Sequence, residues 1–208
     1  MVAVTLGEDG LASGPPDCHS ALQRAVAVAQ DSIASIYRLD LDFRAEDFVV
    51  AAETARAMLP PDSPRSGVVI LEGSDSDQVA VGLYVDPKDA DDPNTVVEET
   101  SHLVYLGWLA LRDLSVSRLI LELQGEVDRY AVAKVTGRDG LDHFENFDWC
   151  DWMNADTRRL YLEAHRRARR YCCALERRFP HRSDMPGLLA ELRRYYRATP
   201  EQKLHAAS

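Results

Sequence analysis

Five side chains that can hold a metal ion or transfer a proton lie close together near the middle of the chain. They are Glu98, Glu99, His102, Glu122 and Glu126. Glu98 and His102 are four residues apart, as are the last two glutamates, so on a helix each pair projects from one face. Carboxylate and imidazole groups that share a face suit a divalent cation, with zinc as the first choice and iron or manganese as alternatives.

Both segments are apolar around these polar groups, which predicts a buried site. The residues after Ser101 are apolar on nearly every side of a helix, and so are those that flank Glu122 and Glu126. A short connection over residues 113–116 predicts that the two helices are antiparallel or crossed neighbours. Burying several carboxylates is costly unless a cation or another partner compensates. The pattern therefore predicts one divalent metal ion between the two helices.

A known motif is similar to the first of these segments. Residues 98–102 read Glu-Glu-Thr-Ser-His, which resembles the HExxH motif of the gluzincin metallopeptidases with glutamate in place of the first histidine. In that family a glutamate from a following helix completes the site, and here Glu122 and Glu126 lie 20 and 24 residues after His102. A strand-like pair precedes the motif, so the resemblance covers about residues 67–135.

The resemblance implies a role for each residue. His102 would be a metal ligand, Glu98 would replace a ligand, and Glu99 would be the general base that activates water. Glu122 or Glu126 would be the third protein ligand, and if Glu122 ligates, Glu126 falls where the family keeps an acid that orients a ligating histidine. A set of two glutamates and one histidine is more negative than the family's set. A change of metal or a loss of peptidase activity therefore stays open.

Simpler interpretations exist for the same residues. Thr95 and Glu98 have the spacing of a capping box, which would close the start of the helix. His102 could be a core histidine that is hydrogen-bonded to a carboxylate, with no metal. The two downstream glutamates could pair with Arg118 and Arg129 on a solvated stripe, since Arg129 follows Glu126 by three residues.

Two other classes of protein use similar elements. A non-catalytic interaction or regulatory protein could keep the same scaffold with a closed pocket. A ferritin-like di-iron oxidase uses ExxH, which residues 99–102 match, but it needs a second ExxH and further glutamates. Glu163 and His165 are only two residues apart, and Glu201 and His205 lie near the end of the chain.

Composition predicts an ordinary globular protein. The chain has 208 residues, of which 46% are hydrophobic and 28% charged. It has no run of about 18 apolar residues, so we expect no membrane span. The start lacks the pattern of a secretion signal, and the four cysteines form no CxxC pair. We therefore expect reduced thiols and a cytoplasmic location.

Charge is divided unevenly along the chain. Residues 158–208 hold 13 Lys and Arg against 5 Asp and Glu, whereas the rest hold 11 against 29. The basic end is expected to pack on an acidic core or to meet an acidic protein partner. Phosphates would be repelled by the acidic remainder, which disfavours nucleic acid as a partner. Nothing in the sequence identifies a substrate.

The predicted fold is α+β and mainly helical. A small β-hairpin precedes the two site helices, and a helical cap follows them. We expect a flexible lead-in over 1–16, a metallopeptidase-like core over 17–136 and a basic helical extension over 137–208 that packs on the core. The predicted helices cover 17–38 (capped by Asp17), 45–59, a stretch from Asp92 or Thr95 to 112, 117–135, 154–178 and 186–197, and a last turn begins at 199–200. The predicted strands are 67–71 and 78–85, joined by a turn over 73–77.

The segment over 137–149 reads as a loop that is rich in aromatic and acidic residues. We expect its aromatic side chains to pack on the core. They are Phe144, Phe147 and Trp149, with Trp152 just beyond.

Overall fold

The computed structural model of the protein describes residues 16–58, 66–72, 79–145 and 154–208. It confirms the mainly helical α+β fold. In this part of the chain the α-helices are Pro16–Tyr37 (α1), Ala52–Met58 (α2), Pro93–Ala110 (α3), Arg118–Val135 (α4), Asp142–Glu145 (α5), Ala155–Arg178 (α6), Met185–Tyr196 (α7) and Pro200–Ala206 (α8), and the strands are Gly67–Glu72 (β1) and Val79–Tyr84 (β2). The predicted lead-in up to residue 15, the predicted turn over 73–77 and the aromatic residues Phe147, Trp149 and Trp152 lie outside the described residues.

Local capping sets where the site helices begin. Asp92 accepts hydrogen bonds from the backbone N–H groups of Asn94 and Thr95, so α3 starts at Pro93. Thr95 therefore lies inside the helix, and the predicted capping box of Thr95 and Glu98 is wrong. Ser117 caps α4 in the same way, by accepting from the N–H of Ile120.

Two of the predicted helix boundaries need correction. Helix α1 begins at Pro16, so Asp17 lies within it rather than capping it. The single helix predicted over 45–59 is also wrong, because a 3-10 turn at Ala45–Phe48 and helix α2 are separated by extended residues.

Strand pairing explains that break. Val49 forms a bridge with Leu83, and the N–H of Val50 donates to the carbonyl oxygen of Leu83 at 3.0 Å. β-Branched residues favour extended backbone. Gly82 makes room for the contact, since a Cβ there would lie 2.9 Å from Val50.

The hairpin is antiparallel, with Gly67 opposite Tyr84 and Ile70 opposite Val81, and it packs against α3. Helix α3 packs mainly against α4, which in turn packs against α6. The core is formed by large side chains from these helices and α1, including Ile33, Leu123, Val127 and Tyr130, which are fully buried.

The predicted basic extension lies on this core, because α6 packs against α4 and α7 packs against α1. Within the predicted 137–149 loop, residues 142–145 form the short helix α5, and Phe144 is buried as expected. Among the described residues, no helix combines the length and the apolarity that crossing a membrane requires.

Candidate metal centre

Helices α3 and α4 bring three of the predicted ligands together. Glu98, His102 and Glu122 each offer one ligand atom, and these atoms lie within 4.8 Å of one another. Nε2 of His102 is 3.5 Å from Oε2 of Glu122. Donor atoms that share a tetrahedral zinc ion lie about 3.4 Å apart, because each bond is about 2.0–2.1 Å long. The distance between His102 and Glu122 is therefore close to that of two ligands of one ion, and the ligand atom of Glu98 lies within 4.8 Å of both.

Gly125 provides the space for this cluster. A Cβ at this position would lie 2.8 Å from Nε2 of His102 and 3.5 Å from Cγ of Glu98. Glycine in the interior of a helix costs roughly 1 kcal/mol relative to alanine. Here the missing side chain lets the imidazole of α3 approach the backbone of α4 between Glu122 and Glu126.

Glu99 lies behind the histidine ring. Its Oε2 atom is 3.4 Å from Nδ1 of His102, and both side chains are buried. Burial opposes the charged imidazolium, but the carboxylates of Glu122 and Glu99 outweigh it and raise the pKa of His102 to about 10. A carboxylate at Nδ1 directs Nε2 toward the cluster, which is how ligating histidines are commonly oriented. The role of Glu99 as a general base stays a prediction.

Glu122 and Glu126 do pair with arginines, as one simple interpretation predicted, but not on a solvated stripe. Nε of Arg118 is 3.5 Å from Oε1 of Glu122, and Nη1 of Arg129 is 3.7 Å from Oε2 of Glu126. Both glutamates are 4% exposed. The solvated-stripe interpretation is therefore wrong. Burial raises the pKa of Glu122, although His102 opposes that shift.

Glu126 has different neighbours from the other predicted ligands. Its two carboxylate oxygens each lie 3.0 Å from an imidazole nitrogen, Nε2 of His143 on α5 and Nδ1 of His165 on α6. Burial favours the neutral acid, but the two histidines and Arg129 outweigh it and lower the pKa of Glu126 to about 2. Glu126 thus joins α4 to α5 and α6 beside the cluster, rather than completing it.

Arg129 connects Glu126 to Glu98. Its Nη1 donates to Oε2 of Glu98 at 3.0 Å. Burial raises the pKa of Glu98, while Arg129 opposes that shift. A carboxylate has two oxygens, so one can hold the guanidinium while the other faces His102.

Several buried polar atoms of this region have no hydrogen-bond partner among the described residues. Nε2 of His102 and Oε2 of Glu122 are two of them, and they face each other. Buried polar atoms are nearly always paired, so unpaired ones call for an explanation such as an ion. Two such atoms that converge from different helices fit a cation between them, and the carboxylate and imidazole types of the donors suit zinc, iron or manganese.

A second polar network, which we call the rear network, centres on the side of α4 opposite Glu122 and Glu126, since Gln124 and Asp128 each follow one of these glutamates by two residues. Asp128 accepts hydrogen bonds from Ser101, from Tyr37 and, at 2.7 Å, from Nε2 of Gln124. Nζ of Lys203 donates to Oε1 of Gln124. The same Nζ atom lies 4.4–5.7 Å from the ring centres of three tyrosines, Tyr105, Tyr195 and Tyr196.

His143, His165 and Tyr161 are neighbours of the site that the sequence did not assign to it. Tyr161 accepts a long hydrogen bond, 3.4 Å, from Arg118. His165 could have been found, because it shares the apolar face of α6 with Ala168 and is therefore expected to be buried. His143 follows a polar loop, and nothing in the residues around it predicts its contact with Glu126.

Comparisons with known protein families, curated proteins and solved structures gave no match for this chain. In the part of the chain that is described, Glu98, His102 and Glu122 are the one group of three potential ligands that lies within 4.8 Å. The second ligand group that a di-iron centre needs is not formed by these residues.

Proposed function

We propose that the protein binds one divalent metal ion between α3 and α4 and that this site is a hydrolase-like centre. One observation carries the proposal: Nε2 of His102 and Oε2 of Glu122 converge, buried and without hydrogen-bond partners, beside Glu98. A bound cation would compensate carboxylates whose pKa burial raises, as it does for Glu98 and Glu122.

The proposed ligands are Glu98, His102 and Glu122. A bound zinc ion supplies a Lewis acid and a lower pKa for coordinated water. The chain itself holds the ligands in place: Glu99 orients the His102 ring, and Arg129 fixes one oxygen of Glu98. We propose that Glu99 acts as the general base. The contact that the structure gives it is the one with Nδ1 of His102.

A gluzincin-like scaffold is part of the proposal. A two-stranded antiparallel hairpin precedes the two site helices, in the order that the resemblance implies. Gly67 at the start of β1 lies next to Glu99, since a Cβ there would be 4.0 Å from its Oε2. The hairpin thus borders the carboxylate on which hydrolysis would depend. Glu98 replaces the first histidine of the family's motif, so the activity on peptides has to be measured.

Metal content tests the proposal directly. We would purify the wild-type protein without chelator, load it with Zn²⁺, Fe²⁺ or Mn²⁺ in turn, and measure bound metal and affinity by mass spectrometry and calorimetry. The wild type is expected to hold about one ion per chain. His102→Gln and Glu122→Gln are expected to lower affinity by at least about 100-fold, because each removes one of three ligands.

Glu163→Gln is the matched control, since Glu163 lies on the surface of α6 and pairs with Arg167. It should bind metal like the wild type. Circular dichroism would establish that every variant is folded. If the folded wild type binds none of the three metals, the proposal fails, and the cluster is a network of His102 with its neighbouring carboxylates on a non-catalytic interaction protein. Hydrolysis of a fluorogenic peptide mixture by the loaded protein then separates an active from an inactive centre.

A further inference from the structure

One exposed line of arginines runs along α6. Arg159, Arg166, Arg170 and Arg177 are spaced by seven, four and seven residues, and all four are exposed. On a helix of 3.6 residues per turn this spacing places them within about 40° of one another. They therefore form a nearly straight row about 27 Å long, with steps of about 10.5, 6 and 10.5 Å. We call this row the arginine stripe.

The stripe lies on the side of α6 that faces away from the core. The buried residues of the helix, among them Ala164, Ala168 and Leu175, occupy the opposite side, which packs on α4. Along the described residues, the four arginines of the stripe make no ion pair or hydrogen bond. Nearby arginines do: Arg167 pairs with Glu163, and Arg169 pairs with Glu145, each at 2.6 Å.

These four aligned guanidinium groups have no partner among the described residues, so they present a row of positive charge that a negatively charged partner would complement. Guanidinium groups bind carboxylates in a bidentate geometry. A helix that lies alongside α6 repeats its side chains at the same intervals, so carboxylates spaced by seven, four and seven residues would meet all four arginines. Half-exposed apolar residues flank the stripe at Leu162 and Cys173, which gives such a helix an apolar margin to rest on.

The same features disfavour nucleic acid. Phosphates of a duplex strand repeat every ~3.4 Å along the axis and would not select this spacing. The aromatic residues of α6, Tyr161 and Tyr171, lie on other sides of the helix and offer no stacking platform on the stripe. The remainder of the chain, with 29 acidic against 11 basic residues outside 158–208, also repels a dense polyanion.

We infer that the arginine stripe is a docking surface for an acidic α-helix of another protein. The inference does not depend on the metal centre, because the stripe and the cluster lie on different elements and faces. The partner is defined by its chemistry: a helix that presents carboxylates in a row at intervals of seven, four and seven residues.

Synthetic peptides can test this surface on the full chain. One labelled helical peptide carries four glutamates at the matching intervals, and a second has the same composition with the glutamates distributed around the helix. Fluorescence anisotropy is expected to show that the matched peptide binds at least about 10-fold more tightly, with an affinity that falls as salt is added.

Charge reversal provides the matched variants. Arg166→Glu with Arg170→Glu is expected to weaken the matched peptide by at least about 10-fold, and a peptide with arginines in place of its glutamates should bind that variant. Arg24→Glu with Arg182→Glu makes the same change of charge at exposed positions elsewhere and should leave binding unchanged.

Equal affinity for the two peptides would overturn the inference. So would tighter binding of a DNA duplex that is lost in the Arg166 and Arg170 variant, which would instead assign the stripe to nucleic acid.

Discussion

The two polar clusters of the α3–α4 pair differ in how completely they are satisfied. In the rear network, Asp128 accepts hydrogen bonds from Tyr37, Ser101 and Gln124. Lys203 joins the network by donating to Gln124. In the front cluster of Glu98, Glu99, His102 and Glu122, the buried atoms Nε2 of His102 and Oε2 of Glu122 lack hydrogen-bond partners among the described residues.

The pairing of the buried polar atoms distinguishes the two clusters, whereas burial does not. Both clusters are buried, and both contain ionisable groups. The hydrogen bonds of the rear network join α1, α3, α4 and α8, so they stabilise one particular packing of these helices. A buried cluster that leaves donor and acceptor atoms unpaired costs stability, and it is retained where those atoms bind something else. We therefore propose a binding role for the front cluster and a structural role for the rear network.

Replacing a carboxylate by its amide should cost more stability in the rear network than in the front cluster. Asp128→Asn is expected to lower the free energy of unfolding by about 2–4 kcal/mol, because it breaks a satisfied buried network that includes Lys203. Glu122→Gln should lower it by less than Asp128→Asn does, because the contacts of Glu122 with His102 and Arg118 are long, at 3.5 Å, and burial already disfavours its charged form. Urea denaturation of the metal-free proteins measures both. A large loss for Glu122→Gln would mean that the front cluster is structural as well.

Gly125 can be used to break the front cluster alone. Gly125→Ala is expected to lower metal affinity by at least about 100-fold, or about 2.7 kcal/mol, because its Cβ would contact Nε2 of His102. Gly107→Ala is the matched control on α3, where a Cβ would lie 2.7 Å from the ring of Phe43. It should lower stability while leaving metal affinity unchanged. Calorimetric titration of both variants checks the comparison, and equal losses of affinity would contradict it.

The rear network should also respond to pH. Burial lowers the pKa of Lys203 to about 7 against the opposing charge of Asp128, whereas an unfolded lysine has a pKa of about 10.4. Between these values the unfolded chain holds the proton and the folded chain does not. The free energy of unfolding should therefore rise with pH, by up to about 1.4 kcal/mol per pH unit.

Lys203→Met removes that titration, so the rise between pH 7.5 and 9.5 should be smaller in the variant than in the wild type. Urea denaturation across this range gives the two slopes. Parallel slopes would show that Lys203 keeps its proton in the folded protein.

The sequence predicted most of what depends on local chemistry. Caps and breakers identified the bounds of the two site helices to within a few residues, because Asp92, Ser117 and Gly137 act on their immediate neighbours. Helical spacing correctly grouped Glu98 with His102, since that relation is also local.

Contacts between distant residues could not be predicted in this way. The break after Phe48 depends on pairing with Leu83, and the rear network depends on Lys203, 79 residues after Gln124. Glu126 was predicted as a possible ligand because it lies 24 residues after His102, where the gluzincin resemblance implies a glutamate from the following helix. Its actual neighbours, His143 and His165, come from elements whose packing no helical period encodes.

Helix α4 carries one cluster on each side, and 12 of its 18 residues are buried. Backbone amides in such a central helix exchange with solvent chiefly when the whole domain opens. An ion held by Glu122 against α3 would bind only while these two central helices are packed together. It would therefore stabilise the native state and slow the exchange of the amides of α4 still further.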